Sequence, residues 1–319
     1  MRGDYLHMQN TFPKDILDCM KECILSIFWA KKDIIDFFEN NGCTSREMIP
    51  QNQCDDMSRN RIIETILNNL NAKNDKGIGQ LRAMLKSLTE WDYFNPYFFD
   101  EIKKLDKQKA LNNIAHLKKL QEVRDNKIKR QRTKIENLEP KSNDINTILS
   151  ELKNEFILLF QGKDTNNKQI NLQQRGYLFE SFLRKLFLFE KLEVTEPFKI
   201  LGEQIDGSIK FEGEHYIVEA KWNDKLSASS DLYQFAHKVE GKMYGRGIFI
   251  SVNGYSDDSV KALQQGKAQR TILIDGGDIV LITEGMYTFL EMLDKKIKAA
   301  QTMGRIYVNP MDLNDKIKY

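Results

Sequence analysis

The hydrophobic pattern of this chain changes near residue 170, and the change limits the folds that the chain can adopt. Before it, apolar residues recur at intervals of three and four, as on the buried face of an α-helix. After it, one amphipathic helix at about 175–190 is followed by short apolar runs that are typical of β-strands. We therefore predict an α+β protein with an all-helical N-terminal region and a mixed α/β C-terminal domain.

Three segments follow from this pattern: a helical domain at 1–99, a long basic helix with a linker at 100–168, and the mixed domain at 169–319. In the first segment we expect helices at about 14–40, 58–72 and 78–90. In the mixed domain, the amphipathic helix precedes strands at about 193–200, 205–211 and 215–222, a helix at 229–243, a strand at 247–252, a helix at 256–265, strands at 271–275 and 278–283, and a helix at 284–298. This α-β-β-β-α-β order predicts a mixed sheet covered by helices.

The middle segment is rich in basic residues and has neither glycine nor proline between residues 100 and 138. Gln121 and Arg124 interrupt its loose heptad pattern, which favours a single long helix over a stable coiled coil. Only three acidic residues oppose the basic residues between 103 and 134, which are Lys103, Lys104, Lys107, Lys109, Lys118, Lys119, Arg124, Lys127, Lys129, Arg130, Arg132 and Lys134. Such a helix is either a solvated surface or a contact for phosphates or a partner protein.

Composition excludes several classes of protein. The chain is 41% hydrophobic and 29% charged, and it has no run of about 18 apolar residues that could cross a membrane. No basic and then apolar leader begins the sequence, so we expect a cytoplasmic protein without a membrane partner. The four cysteines lie in the first sixty residues without the spacing of a zinc site, which predicts reduced thiols in a core.

A set of acidic and basic residues lies at the ends of two predicted strands. Asp206 lies at the start of one strand, and thirteen residues later the next strand ends in Glu219-Ala220-Lys221. Residues two apart on a strand project to the same face, so Glu219 and Lys221 are expected side by side, with Asp206 opposite them. Two carboxylates and the Ala220 carbonyl suit Mg²⁺, and Lys221 would orient the attacking water or stabilise the charge of the transition state. This set predicts a metal-dependent phosphodiesterase.

Other polar residues flank this set. Glu180 lies beside the apolar face of the amphipathic helix, where a carboxylate is expected to be paired or to bind a cation, and it would extend the metal site. Gln234, on the helix after the second strand, would contact the water or a phosphate. Lys238, Lys242 and Arg246 follow and would hold a nucleic-acid backbone. Each of these residues is also compatible with an ordinary solvated helix face, and Glu180 with an ion pair to Arg184.

The order Glu180, Asp206, Glu219-Ala220-Lys221 and Gln234 resembles the PD-(D/E)xK nuclease superfamily, and over about residues 170–300 it is most similar to the Mrr-like, type IV restriction endonuclease branch. Ile205 occupies the position of the superfamily's proline, and this substitution removes no metal ligand. The resemblance implies a restriction-endonuclease-like α/β/α fold and Mg²⁺-dependent hydrolysis of DNA, with Mn²⁺ as a substitute. It also implies a role in restriction or antiviral defence.

Three functions remain open at this point. The first is an endodeoxyribonuclease that acts as a homodimer, because one such site cuts one strand. The second is a nuclease effector, with RNA as another substrate, that a partner or a signal activates through the N-terminal helices. The third is a nucleic-acid-binding module with a decayed active site, against which the intact Asp206, Glu219 and Lys221 argue. A further acidic pair, Asp275 and Asp278, is interpreted as a turn between two strands.

Overall fold

The computed structural model describes residues 12–136, 143–195, 198–200, 203–205, 207–242, 245–265 and 270–309. They divide into two compact units. Of these described residues, the helical unit contains those within 1–141 and 160–162, and the sheet unit contains those within 142–159 and 163–309. No described helix is both long enough and apolar enough to cross a membrane.

The helical unit confirms the all-helical prediction for the N-terminal region. Its elements are α1 (Lys14–Ile27), α2 (Lys31–Glu39), α3 (Gln51–Cys54), α4 (Arg59–Asn71), α5 (Ile78–Thr89), a π-helical turn (Tyr97–Glu101) and α6 (Lys107–Glu136). Their apolar faces form one core, which contains all four cysteines as free, buried thiols. Burial raises the pKa of the Cys23 thiol, which keeps it protonated and unreactive.

The predicted middle segment is shared between the two units. The first half of α6 packs on α1, and its residues Ala110, Ile114 and Leu117 are buried in the helical core. The next helix, α7 (Asn143–Phe160), lies mainly in the sheet unit, where the Phe156 ring stacks on Phe182 with 5.1 Å between centroids. Apolar side chains therefore place each helix in a unit, although both belong to the same predicted segment.

The sheet unit has a five-stranded mixed sheet with helices on its faces, as the sequence predicts. Its remaining elements are α8 (Leu172–Phe189), β1 (Glu193–Thr195), β2 (Phe198–Ile200), β3 (Glu203–Ile205), β4 (Gly207–Phe211), β5 (Glu214–Lys221), α9 (Ser229–Glu240), β6 (Arg246–Ser251), α10 (Asp257–Gln264), β7 (Thr271–Asp275), α11 (Gly276–Thr283) and α12 (Phe289–Met303). The strand order is β1-β4-β5-β6-β7, antiparallel up to β5 and parallel from β5 to β7. Strands β2 and β3 pair separately as an antiparallel hairpin.

The side chains of β5 alternate between two helical layers. Ile217 packs into the apolar cluster that α9 contributes, with Leu232 and Phe235. Val218 faces the opposite layer, where it lines a cavity together with residues of α8. Because successive residues of a strand point to opposite faces, β5 presents Glu219 and Lys221 to α9, and Ala220 to α8.

The predictions for the end of the sheet unit are wrong at one element. Residues 278–283, predicted as a strand, belong to helix α11, and Asp275 and Asp278 form its capping box instead of a turn between strands. The Asp275 side chain accepts a hydrogen bond from the Asp278 amide, and the Asp278 side chain accepts one from the Asp275 amide, both at 2.9 Å. Every residue of α11 is buried, so its sequence lacks the polar face by which a helix is recognised.

A glycine in β6 allows α9 to lie close to the sheet. A Cβ added at Gly247 would come within 2.5 Å of Val239 Cγ2 and 2.7 Å of Phe235 Cε1, both on fully buried side chains of α9.

We expect Gly247→Ala to reduce the free energy of unfolding by about 1–3 kcal/mol, because α9 has to move away from the sheet. Urea unfolding of this variant and of Gly213→Ala tests this expectation. Gly213 has a positive φ but open space around it, so it reports backbone strain alone.

Unchanged stability in Gly247→Ala would contradict the close-packing explanation, because the added Cβ would then fit beside α9 without displacing it.

Candidate active site at the end of strand β5

Glu219 and Lys221 lie next to each other at the carboxyl end of β5, on the face that α9 covers. Lys221 Nζ is 3.8 Å from Glu219 Oε1. The Glu219 side chain is 13% exposed and Lys221 is 26% exposed, so both are accessible from one side of the sheet. The two-residue spacing therefore produces the adjacency that the sequence predicts.

Asp231, in the first turn of α9, is a member of the site that sequence reasoning missed. Its Oδ1 accepts a hydrogen bond from Lys221 Nζ at 2.9 Å, which is closer than Lys221 lies to Glu219. Its Oδ2 accepts one from the Ala228 amide at 3.2 Å. An acidic residue in the first turn of a helix is common, because it interacts favourably with the helix dipole. The sequence therefore gave no signal that separated this carboxylate from an ordinary one.

Lys238, two turns further along α9, reaches the same carboxylate as Lys221. Its Nζ donates to Glu219 Oε2 at 2.7 Å, and its side chain is 20% exposed. The sequence predicted Lys238 as a contact for the nucleic-acid backbone. The structure places it inside the site, because residues 231 and 238 are seven apart and project from the same side of a helix.

The end of β5 is anchored from the opposite layer. Trp222, directly after Lys221, packs edge-on against Phe179 of α8 at 5.2 Å between centroids. The Arg175 guanidinium lies 5.2 Å from the centre of the Trp222 ring and pairs with Asp224 at 2.6 Å. These contacts fix the backbone beside Lys221 and limit the movement of its side chain.

Asp206 lies outside the described residues, so its predicted place opposite Glu219 stays a prediction. Its neighbour in the chain, Gly207, pairs with Val218 in the antiparallel ladder of β4 and β5. Val218 in turn precedes Glu219.

Glu180 is not brought together with Glu219. It lies on α8 and lines a cavity of about 210 Å³ on the other face of the sheet, together with Gly207, Val218 and Ala220. Glu219 faces α9, so the strand itself separates the two carboxylates. Of the predicted ligands, Ala220 is next to Glu219 in the chain and pairs with Ile250 in the parallel ladder, and its side chain faces the Glu180 cavity.

The remaining predicted residues lie at different distances from Glu219. Gln234 is exposed on α9, three residues after Asp231 and four before Lys238, so it lies on the same stripe of the helix. Arg246 begins β6 opposite Tyr216, three residues before Glu219 on β5, which corresponds to about 10 Å along the strand. It pairs with Glu214 at 3.4 Å. Lys242 lies between α9 and this end of β6.

The described residues supply some of the oxygen ligands that a hard divalent cation needs. Glu219 supplies a carboxylate, and Mg²⁺ in proteins is usually held by one or two carboxylates together with water and substrate oxygens. Among the described residues, no three histidine, cysteine, aspartate or glutamate side chains lie close enough to form a complete metal site. Glu219 therefore fits as one ligand, and the second carboxylate that the sequence offers, Asp206, is outside the described part of the chain.

Comparisons with known proteins find one family that matches the segment of the chain containing this site. Residues 172–282 match the family model of the Mrr catalytic domain, described as a restriction endonuclease, and the match spans α8 to α11. One solved structure, the crystal structure of the protein of unknown function AF1548, is similar at 16% identity. It covers 44% of this chain and 92% of its own, with a TM-score of 0.29. No curated protein shows significant similarity to the chain.

The family match confirms the predicted resemblance to PD-(D/E)xK nucleases of the Mrr-like branch. It covers Glu219, Lys221, Asp231 and Lys238. This part of the chain is therefore similar to a restriction-endonuclease-like nuclease domain.

Proposed function

We propose that this protein is a Mg²⁺-dependent endodeoxyribonuclease that acts in restriction or antiviral defence. The observation that carries the proposal is the placement of Glu219 and Lys221 at the open end of β5, within the segment that matches the restriction endonuclease family. A carboxylate and an ammonium group side by side supply a metal ligand and a positive charge for phosphodiester hydrolysis.

Each residue has a separate task in this proposal. Glu219 and Asp206 would hold the metal ion, with the Ala220 carbonyl as a further oxygen donor. The ion, when bound, makes a phosphodiester more reactive by withdrawing charge from its oxygens. Lys221 would orient the attacking water and stabilise the negative charge that develops on the phosphate, and its bond to Asp231 keeps its ammonium group in place.

Several further properties belong to the same proposal. Mn²⁺ would replace Mg²⁺, since both prefer oxygen ligands. Cleavage of both DNA strands would require two copies of the site, so a homodimer is the expected active form. Glu180 would act from the α8 side, either on a second ion or through water, and Gln234 would contact a phosphate. We place this activity in the cytoplasm.

Supercoiled plasmid tests the proposal. We expect the wild type to nick it with Mg²⁺ and to lose this activity with EDTA. In Asp206→Ala and Glu219→Ala the rate of nicking is expected to fall about 1000-fold or more, because the metal ion contributes several kcal/mol to the stabilisation of the transition state. Asp257→Ala, on an exposed residue of α10, is the matched control for the loss of one carboxylate and should nick normally.

Equal nicking by the wild type and both site variants would exclude this active site, since any nuclease in the sample would then be a contaminant or use other residues.

A second candidate function is a nuclease effector that a partner protein or a signal molecule activates. It is favoured by the helical unit, which forms a separate compact body with its own core. For this candidate, the isolated chain is inactive on both DNA and RNA, and nicking appears when a co-purifying partner is added. Strong cleavage by the isolated chain would exclude it.

A further inference from the structure

The carboxylate of Glu219 is held by two ammonium groups in the described site. Lys238 Nζ lies 2.7 Å from Oε2, and Lys221 Nζ lies 3.8 Å from Oε1. Lys238 therefore makes the short, charge-assisted hydrogen bond, and Lys221 makes the longer contact. The proposed metal ion needs an oxygen of this same carboxylate, and its positive charge repels the ammonium group of Lys238 there, so the two cations compete for Glu219.

Lys221 has a partner of its own. Asp231 Oδ1 accepts its hydrogen bond at 2.9 Å, and the bond from the Ala228 amide to Oδ2 fixes the position of Asp231. The four charged groups therefore form two pairs, Lys221 with Asp231 and Lys238 with Glu219. Of these two pairs, the second contains Glu219, the proposed metal ligand.

The balance of charge shows where Lys238 can go. The two pairs carry no net charge, and a divalent cation that binds Glu219 adds positive charge beside Lys238. Lys238 then loses its hydrogen bond to Glu219 while its ammonium group stays near the site. A phosphodiester carries one negative charge, which matches it. The lysine side chain has four flexible methylene groups, so its ammonium group can move to a new acceptor without a shift of α9.

We propose that Lys238 is a metal-released phosphate ligand. It occupies Glu219 in the free protein and transfers to the substrate phosphate when a divalent cation binds, which couples the binding of metal to the binding of DNA. The inference rests on the proposed function, since it takes Glu219 as a metal ligand. It assigns to Lys238 a role at the reacting phosphate that differs from a general contact with the DNA backbone.

Titration calorimetry with Mn²⁺ alone, and then DNA binding with and without Ca²⁺, tests this role without measuring cleavage. Lys238→Met keeps the apolar stem and removes the charge. We expect it to bind Mn²⁺ about tenfold more tightly than the wild type, because the competing ion pair is gone. Its affinity for a short DNA duplex in Ca²⁺ should fall, and the increase in DNA affinity on adding Ca²⁺ should be smaller than in the wild type.

Two control variants separate the charge of Lys238 from the general effect of losing a lysine. Lys261→Met removes one charge from an exposed residue of α10 and should change neither affinity. Lys238→Arg keeps the charge and should retain the coupling between metal and DNA. If Lys238→Met does not fold, as judged by its circular dichroism, Lys238→Gln replaces it with the same expected result.

Unchanged Mn²⁺ affinity in a folded neutral variant would overturn the inference about Lys238. Glu219→Ala separates this outcome from a failure of the proposed function. If Glu219→Ala loses metal binding while Lys238→Met retains the wild-type affinity, the nuclease proposal stands and the role of Lys238 is wrong. If the wild type binds no divalent cation with or without DNA, both proposals fail.

Discussion

Lys221→Met is expected to cut DNA about 1000-fold more slowly than the wild type while it still binds the metal ion. The ammonium group of Lys221 lies beside Glu219 and has a fixed partner in Asp231. A fixed charge of this kind stabilises the transition state, and the loss of one such group typically costs between about 100-fold and 1000-fold in rate. Glu219 remains as a ligand, so the affinity for Mn²⁺ should stay within a few fold of the wild-type value.

Asp231→Asn should give a smaller and more specific defect. Asparagine keeps the bond to the Ala228 amide but loses the charge that holds Lys221, so we expect kcat to fall about tenfold with little change in KM. Asp231→Glu should recover part of this loss. Single-turnover and steady-state cleavage of a labelled duplex measure these changes, with Lys225→Met as an exposed lysine control.

A normal cleavage rate in Lys221→Met would remove Lys221 from the catalytic set. Loss of metal binding in the same variant would instead show that the slower cleavage results from a disturbed metal site.

Lys296→Met is expected to destabilise the sheet unit by about 3–5 kcal/mol, since removing one partner of a buried ion pair leaves an uncompensated charge. Lys296 on α12 is 1% exposed and lies 2.7 Å from Asp278, which is 4% exposed. Its ammonium group also donates to the carbonyl oxygens of Leu273 at 3.2 Å and Val308 at 2.7 Å. One lysine therefore joins β7, the cap of α11 and the segment after α12, and methionine satisfies none of these acceptors.

The effect should depend on pH, because burial raises the pKa of Asp278 from 3.8 to about 7 and Lys296 opposes that rise. The Asp278 carboxyl group thus binds its proton more tightly in the folded state than in the unfolded chain. The stability that protonated Asp278 contributes is fully present below about pH 4 and is lost as the pH rises through 7. Without Lys296 the pKa of Asp278 rises further, so the loss caused by Lys296→Met should be larger at pH 8 than at pH 5.

Urea unfolding of the wild type and Lys296→Met at both pH values measures this difference. Lys298→Met, on an exposed position of the same helix, should change the free energy of unfolding by no more than about 0.5 kcal/mol. A loss in Lys296→Met that is small and independent of pH would show that the buried pair contributes little to stability.

Much of the fold was predictable because most elements carry a periodic pattern. The helices α4 and α5 have one apolar face each in the sequence, and their observed bounds lie within one residue of the predicted ones. Strand β5 alternates in burial and ends in the predicted charged pair. Helix α11 was predicted wrongly as a strand, because a helix buried on all sides has no polar face, and its sequence therefore lacks the helical period.

The sequence alone determined the α+β class, the restriction-endonuclease-like resemblance and the adjacency of Glu219 and Lys221, since these depend on local periodicity and on a spacing of two within a strand. The tertiary structure decided which charges surround that pair. Asp231 and Lys238 reach β5 because α9 packs closely over Gly247, and Glu180 lies on the opposite side because α8 covers the other face. Packing of separate elements sets such neighbours, and a side chain far away in the sequence carries no local mark of its partner.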